Sequence, residues 1–280
     1  MAEAFSLPYH FVNHLTKPGL SCGMGDVALQ SYLSSTHSNG GSDSAQSLIG
    51  NVRSALHDGG SGATLQSMYS SGLDRMWRGC GDPRVISEVW KFLCRNREQL
   101  KKVHVKAYAR RAKSDPETKI KLKEGKLFDL YFDGQSDATA LKNMVADRFF
   151  GMDCIGFVGN YLVWVGEWAS YDGQTPSKWP THICKTNIDK AADVKPLDFL
   201  CWGGHVAIID WVWKTLDDDT VEVDVCQSSG IGPQCNERVQ LRRTSATSNG
   251  RRQFKIHHRG TPQMPVDERC VIQRREGFYW

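Results

Sequence analysis

The chain has 280 residues, 40% hydrophobic and 24% charged, which is the composition of an ordinary soluble protein with room for one large domain or a domain with an appendage. No run of 18 apolar residues occurs, so no membrane-spanning helix is expected. Net charge is only +4 but uneven: residues 95–126 hold twelve Lys/Arg against four Asp/Glu, and residues 238–259 hold seven Lys/Arg and no acid. Such runs are either solvated faces or surfaces that attract an anionic polymer such as cell wall, nucleic acid or membrane.

The opening residues, Met1 to Pro8, lack a basic patch followed by an apolar core. No secretory signal is expected, which implies a cytoplasmic protein or one exported by a signal-independent route. Nine cysteines are present, an odd number with no CxxC pair, so neither a disulfide framework nor a zinc ribbon is indicated. His182-Ile-Cys184 alone is too little for a metal site, and most of the cysteines read as small buried apolar residues.

Residues 1–80 read as a poorly patterned, partly flexible helical N-terminal region. Ser34–Ser44 and His57–Gly62 are rich in Ser and Gly, and between them Leu48, Ile49, Val52 and Leu56 take the spacing of an amphipathic helix. The glycines at 59–62 follow no strand signal and lack a Lys-Ser/Thr ending, so they do not read as a phosphate cradle.

Residues 81–280 read as one catalytic domain with a helical first half. Asp82-Pro83 opens a helix, and Val85, Ile86, Val89, Trp90, Phe92 and Leu93 carry it toward Lys102. Val103–Ala109 alternates as a strand, Ser114-Asp-Pro116 marks a turn, and Ile120–Lys126 with Leu127–Phe132 reads as a hairpin or two short strands. A helix over 136–148 then delivers the chain to Gly151-Met-Asp-Cys-Ile-Gly-Phe-Val-Gly-Asn-Tyr161.

The apolar run 155–165 fits a buried helix whose first turn carries Cys154, where unpaired N–H groups and the helix dipole favour a thiolate. The polar stretch 170–195, with Pro176 and Pro180, reads as an excursion bordering a cleft. Five strand signals follow, at 198–213, 220–227, 238–243, 253–258 and 269–274, with Asp217-Asp-Asp219 as the first turn. In series they predict a strongly twisted antiparallel sheet or half-barrel, and helices preceding a sheet make the chain α+β. Within the first of these strands, His205 opens the β-branched run that leads to Asp210. A helix-borne cysteine followed by a strand-borne histidine is an order that suits a nucleophile and its base.

The local wording sharpens this. Asp153-Cys154-x-Gly156-Phe157-Val158 resembles the Asp-Cys-Ser-Gly-Leu/Phe-Val motif of NlpC-type papain-like cell-wall peptidases. Val194-Lys-Pro-Leu-Asp198 resembles their Pro-Gly-Asp strand entry. Gly204-His-Val-Ala-Ile-Ile209 resembles their Gly-His-Val-Gly/Ala-Ile strand, which the related CHAP amidases share. The resemblance spans about residues 146–232, and it departs at Ile155, where Ser is usual, and at Leu197, where Gly is usual. It implies a papain-like α+β core, with the cysteine helix packed on a twisted sheet of about five strands.

These families orient the histidine with a His, Asn, Gln or Glu on the next strand. If the hairpin centres on Asp218, period-two alternation puts His205 on one face with Val223, Val225 and Gln227, and turns Asp224 and Cys226 away. Gln227 falls where the CHAP motif places its Asn. The candidate site is therefore Cys154, His205 and Gln227, with Asp224 the alternative should a bulge shift the register.

The implied chemistry is acyl transfer by a thiol hydrolase on peptide amides of bacterial peptidoglycan, an amidase of the exported-effector kind, with no cofactor and no metal. The resemblance leaves open a papain-like acyltransferase or deamidase on another amide, or a non-catalytic binding protein. The partners it implies are peptidoglycan or another anionic polymer, and an inhibitor or immunity protein, rather than nucleic acid.

Overall fold

The computed structural model describes residues 7–16, 72–73, 75–76, 79–109, 121–146, 150–169, 171, 184, 186–229, 232–261 and 264–275. The helix expected over 45–56, its flanking Ser/Gly segments, the turn at 114–116 and most of the 170–195 excursion lie outside these residues.

Helix α1 (Leu7–Thr16) buries Phe11, Val12 and Leu15. Helix α2 (Pro83–Arg95) starts where Asp82 accepts a hydrogen bond from the Val85 N–H at 2.8 Å, with Pro83 in the first turn. It ends earlier than expected, and the separate short α3 (Arg97–Leu100) follows. Strands β1 (His104–Ala109) and β2 (Lys121–Lys126) form an isolated antiparallel hairpin.

The strand expected over 127–132 is instead helix α4 (Leu127–Tyr131). Helical spacing lets Leu127 and Tyr131 bury on one face, and Phe132 stacks on Trp90 with centroids 5.6 Å apart. Helices α5 (Asp137–Ala146) and α6 (Cys154–Trp164) complete the helical half. Among the described residues no helix is long and apolar enough to cross a membrane.

The second half departs from the expected papain-like α+β core. Strands β4 (Phe199–Trp202), β5 (His205–Thr215), β6 (Thr220–Ser229), β7 (Gly232–Ser248), β8 (Arg251–Thr261) and β9 (Arg269–Arg274) pair antiparallel in the order β9-β4-β5-β6-β7-β8. Strand β9 also pairs with β8, so the sheet closes into a six-stranded barrel, and β3 (Thr186–Ile188) is added at the free edge of β9. The helices are short covers on this barrel, not one layer of a helix-plus-sheet core.

Three features produce closure. Strands β7 and β8 are 17 and 11 residues long, well beyond their apolar alternation. Bulges interrupt the pairings of β5 with β6, β6 with β7 and β7 with β8, and bulges bend and coil a strand. The first residues of β9 meet β8 while the next ones meet β4, so one short strand joins both edges.

Alternation then sorts the side chains. Ala207, Ile209, Val223, Val225, Leu241 and Ile256 fill the barrel, while Val206, Ile208 and Cys226 face outward into the helical core. Phe11 of α1 packs on Phe157, Tyr161 and Trp164 of α6 with centroids 5.4, 5.8 and 5.4 Å away. Asp210, extruded at the first β5 bulge, accepts from the Tyr9 N–H at 3.0 Å and so holds the first turn of α1.

The entry to β4 is clamped by charge. Asp198, 1% exposed, accepts from Arg274 Nε at 2.7 Å and Nη2 at 2.8 Å, and from the Lys195 N–H at 2.8 Å. Burial raises the Asp198 carboxyl pKa, and the Arg274 hydrogen bonds oppose it. Arg274→Ala strands this buried carboxylate and should cost about 3 kcal/mol in chemical denaturation. The deficit should grow as pH rises from about 4 and shrink on acidification, because a raised folded-state pKa means that the folded protein binds the extra proton.

Leu197, beside it, has φ +69° and is buried at 8% exposure. Relief of that left-handed strain by Leu197→Gly is worth about 1 kcal/mol, against about 2–3 kcal/mol of lost burial. The variant should therefore melt lower than the parent.

Candidate active site

Cys154 is the first residue of α6 and is 3% exposed. Asp153 caps the helix: its backbone is extended, and its Oδ1 accepts from the Gly156 N–H at 2.5 Å. Burial pushes the Asp153 carboxyl up to about 7, against the pull of the Gly156 and Ile155 N–H groups. The Asp153 N–H donates to Gly79 O at 2.9 Å, and Asn160 Nδ2 donates to Cys80 O at 3.2 Å. The 79–80 segment thus crosses directly over the start of the cysteine helix.

Glycine is required at 156 because that crossing is close. A Cβ there would lie 2.0 Å from Gly79 O, inside any tolerable contact. Strand β6 fixes the other side, where Ser228 Oγ donates to Met152 O at 2.6 Å. The nucleophile candidate is held from both flanks by backbone contacts.

His205 is positioned by a two-residue hairpin. Trp202 pairs with His205, and Gly203 and Gly204 between them have φ of +46° and +80°, the mirror-image turn that suits strand twist and favours Gly at both positions. The Cys154 thiol lies 4.0 Å from Gly204 O, so the turn brings the chain next to the cysteine. The Trp202 and His205 rings are in contact, with centroids 4.5 Å apart.

His205 Nε2 lies 2.6 Å from Gln227 Oε1. The oxygen can only accept, so Nε2 carries the proton and Nδ1 is left as the basic nitrogen. Burial lowers the His205 pKa to about 4, with the Gln227 bond opposing the shift, so the imidazole is neutral in the neutral range.

Asp224 is not at the histidine. It accepts from Trp213 Nε1 at 2.7 Å and the Arg238 N–H at 2.8 Å on the far part of the sheet. The β5–β6 hairpin is bulged, as the Asp224 alternative required, but twice, past Ile209 and past Val212. One bulge inverts the facing of everything beyond it, and two restore it. His205 and Gln227 therefore share a face by cancellation.

Asn236 was missed by the sequence reading. It is fully buried on β7, and its Oδ1 accepts from Gln227 Nε2 at 2.7 Å. A signal existed: a hairpin pairing Ser229 with Gly232 sets Gln227 opposite Gln234, with Asn236 two residues further on the same face. The polar run Gln234-Cys-Asn-Glu237 lacks the apolar alternation that would have marked it as strand.

Against the expectation of no disulfide framework, Cys226 and Cys235 are bonded across the β6–β7 pair, in direct register beside Gln227 and Asn236. No other disulfide forms among the described residues. Among those residues no group of three or more His, Cys, Asp or Glu side chains could hold a metal ion.

Part of the basic run at 238–259 is spent internally. Arg238 pairs with Glu222 at 2.8 Å and lies 3.5 Å over the Trp213 ring. Arg243 pairs with Asp219 at 3.2 Å, Lys255 pairs with Asp267 at 2.8 Å, and Arg252 donates to Ser245 O at 2.9 Å. No family model, curated protein or solved structure matches the chain.

Gly156→Ala tests the packing beneath Cys154. It should destabilise the protein by about 3 kcal/mol, since backbone must move. Gly134→Ala meets only left-handed strain, with nothing within 4 Å, and should cost about 1 kcal/mol by the same denaturation measurement.

Proposed function

We propose that the chain is a thiol hydrolase in which Cys154 is the nucleophile, His205 the base and Gln227 the group that orients it. The observation that carries the reading is the 2.6 Å bond from Gln227 Oε1 to His205 Nε2, on a histidine whose preceding residue touches the Cys154 thiol. Bacterial peptidoglycan peptide amides are the proposed substrate. The support for that class is the wording of the Cys154 and His205 segments, which resembles NlpC and CHAP enzymes and does not depend on the barrel's architecture.

The neutral His205 accepts the Cys154 proton at Nδ1 as sulfur bonds to the amide carbonyl carbon. The developing oxyanion is stabilised at the positive N-terminal end of α6. Collapse breaks the C–N bond, and the imidazolium returns its proton to the leaving amine. Water then enters with His205 again as base, the acyl–sulfur bond breaks and the thiol is regenerated. Throughout, Gln227 keeps the Nε2 proton in place, so that Nδ1 stays available.

Because His205 must be unprotonated to accept, the acid limb of turnover should fall near pH 4 rather than near 6.5. Cys154→Ala should fold normally, shift stability by no more than about 1 kcal/mol and release no peptide from purified peptidoglycan. Iodoacetamide should label Cys154 before the other thiols, and His205→Ala should slow that labelling. Peptide release by Cys154→Ala, or uniform slow labelling of all thiols, would sink the hydrolase reading.

A further inference from the structure

We propose that Asn236 is a positioning residue that selects the tautomer of His205 through Gln227. The inference rests on the hydrolase reading only for its consequence for rate, because the hydrogen-bond logic stands alone.

The two ends of a glutamine amide have nearly the same shape, so packing around Gln227 cannot decide whether oxygen or nitrogen meets the imidazole. Hydrogen bonding decides it. Gln227 is 2% exposed and Asn236 is fully buried, so water is a poor substitute partner at either residue. Asn236 Oδ1 accepts from Gln227 Nε2 at 2.7 Å, which leaves Oε1 to face His205 at 2.6 Å. Were Gln227 reversed, its oxygen would meet the Asn236 oxygen and its NH2 would face His205 Nε2. That nitrogen would then have to accept, and the ring proton would move to Nδ1, the nitrogen that must take the Cys154 proton. In the orientation Asn236 holds, with its Oδ1 toward Gln227, reversing Gln227 alone costs one repulsive oxygen pair, so Asn236 disfavours the unreactive tautomer from two hydrogen bonds away.

The register makes this durable. Asn236 pairs with Val225 and Gln234 with Gln227, and the Cys226–Cys235 bond joins the strands between them. The two amides therefore sit on strands that cannot slide past each other without breaking that covalent link.

The test is a double-mutant cycle on the full chain, read by the ring 15N shifts of His205 in histidine-labelled protein at pH 8 and by the rate of Cys154 alkylation with iodoacetamide. Asn236→Leu removes the acceptor. It should convert a single Nε2–H tautomer into a mixture containing Nδ1–H and slow alkylation about tenfold. In a Gln227→Glu background both carboxylate oxygens accept, so nothing is left to select, and adding Asn236→Leu should change neither the tautomer nor the rate.

Asn236→Asp keeps an acceptor and should keep the Nε2–H form, which provides a second reading should Asn236→Leu fail to fold. An unchanged tautomer in Asn236→Leu, the same slowing in both backgrounds, or an Nδ1–H form in Asn236→Asp would overturn the assignment. A tautomer shift as expected, with no peptide released from peptidoglycan by the parent protein, would uphold Asn236 and remove the hydrolase reading.

Discussion

Strand β9 carries the architecture. Six residues long, it pairs with β8 through Arg269 and Cys270 and with β4 through Val271, Ile272 and Gln273. Its last residue, Arg274, reaches back to the buried Asp198 at the mouth of β4. Without this seam β4 has a free edge, and the β4–β5 hairpin that presents His205 loses its anchored side. Closure pairs each of the six barrel strands on both edges, so the backbone groups of the described barrel strands find partners within the sheet.

Closure requires curvature, and curvature is supplied by bulges that also set the chemistry. The first β5 bulge extrudes Asp210, which then holds α1 against α6 through the Tyr9 N–H. The second lies beside Trp213, which reaches Asp224 and stacks under Arg238. Between them they return His205 and Gln227 to one face. A strand with a single bulge would have kept the same composition and turned Gln227 away from the histidine.

Buried carboxylates mark the joints between these parts. Asp153 caps α6, Asp198 clamps β4 to β9, and Asp210 docks α1. All three have carboxyl groups raised by desolvation, Asp153 and Asp210 to about 7. Asp198 is held by Arg274 and the Lys195 N–H, Asp153 by the N–H groups of its own helix and Asp210 by the Tyr9 N–H, donors that an apolar residue could not engage.

The short-range features were legible in the sequence because they depend on neighbours in the chain. The Asp82 cap, the start of α6 at Cys154 and the alternation in β6 all follow from local hydrogen bonding and period, whereas the turn at Gly203-Gly204 splits the single strand expected over 198–213 into β4 and β5. Alternation also put His205 and Gln227 on one face, although through a register that lacked the two bulges. Leu127–Tyr131 misread as strand because five apolar-rich residues suit either period, and burial against Trp90 chose helix. The closed barrel, the Cys226–Cys235 bond and the Asn236–Gln227 contact were decided only by tertiary structure. Each joins residues through registers that bulges shift by single positions, and no composition or spacing in one strand records how far its partner has slipped.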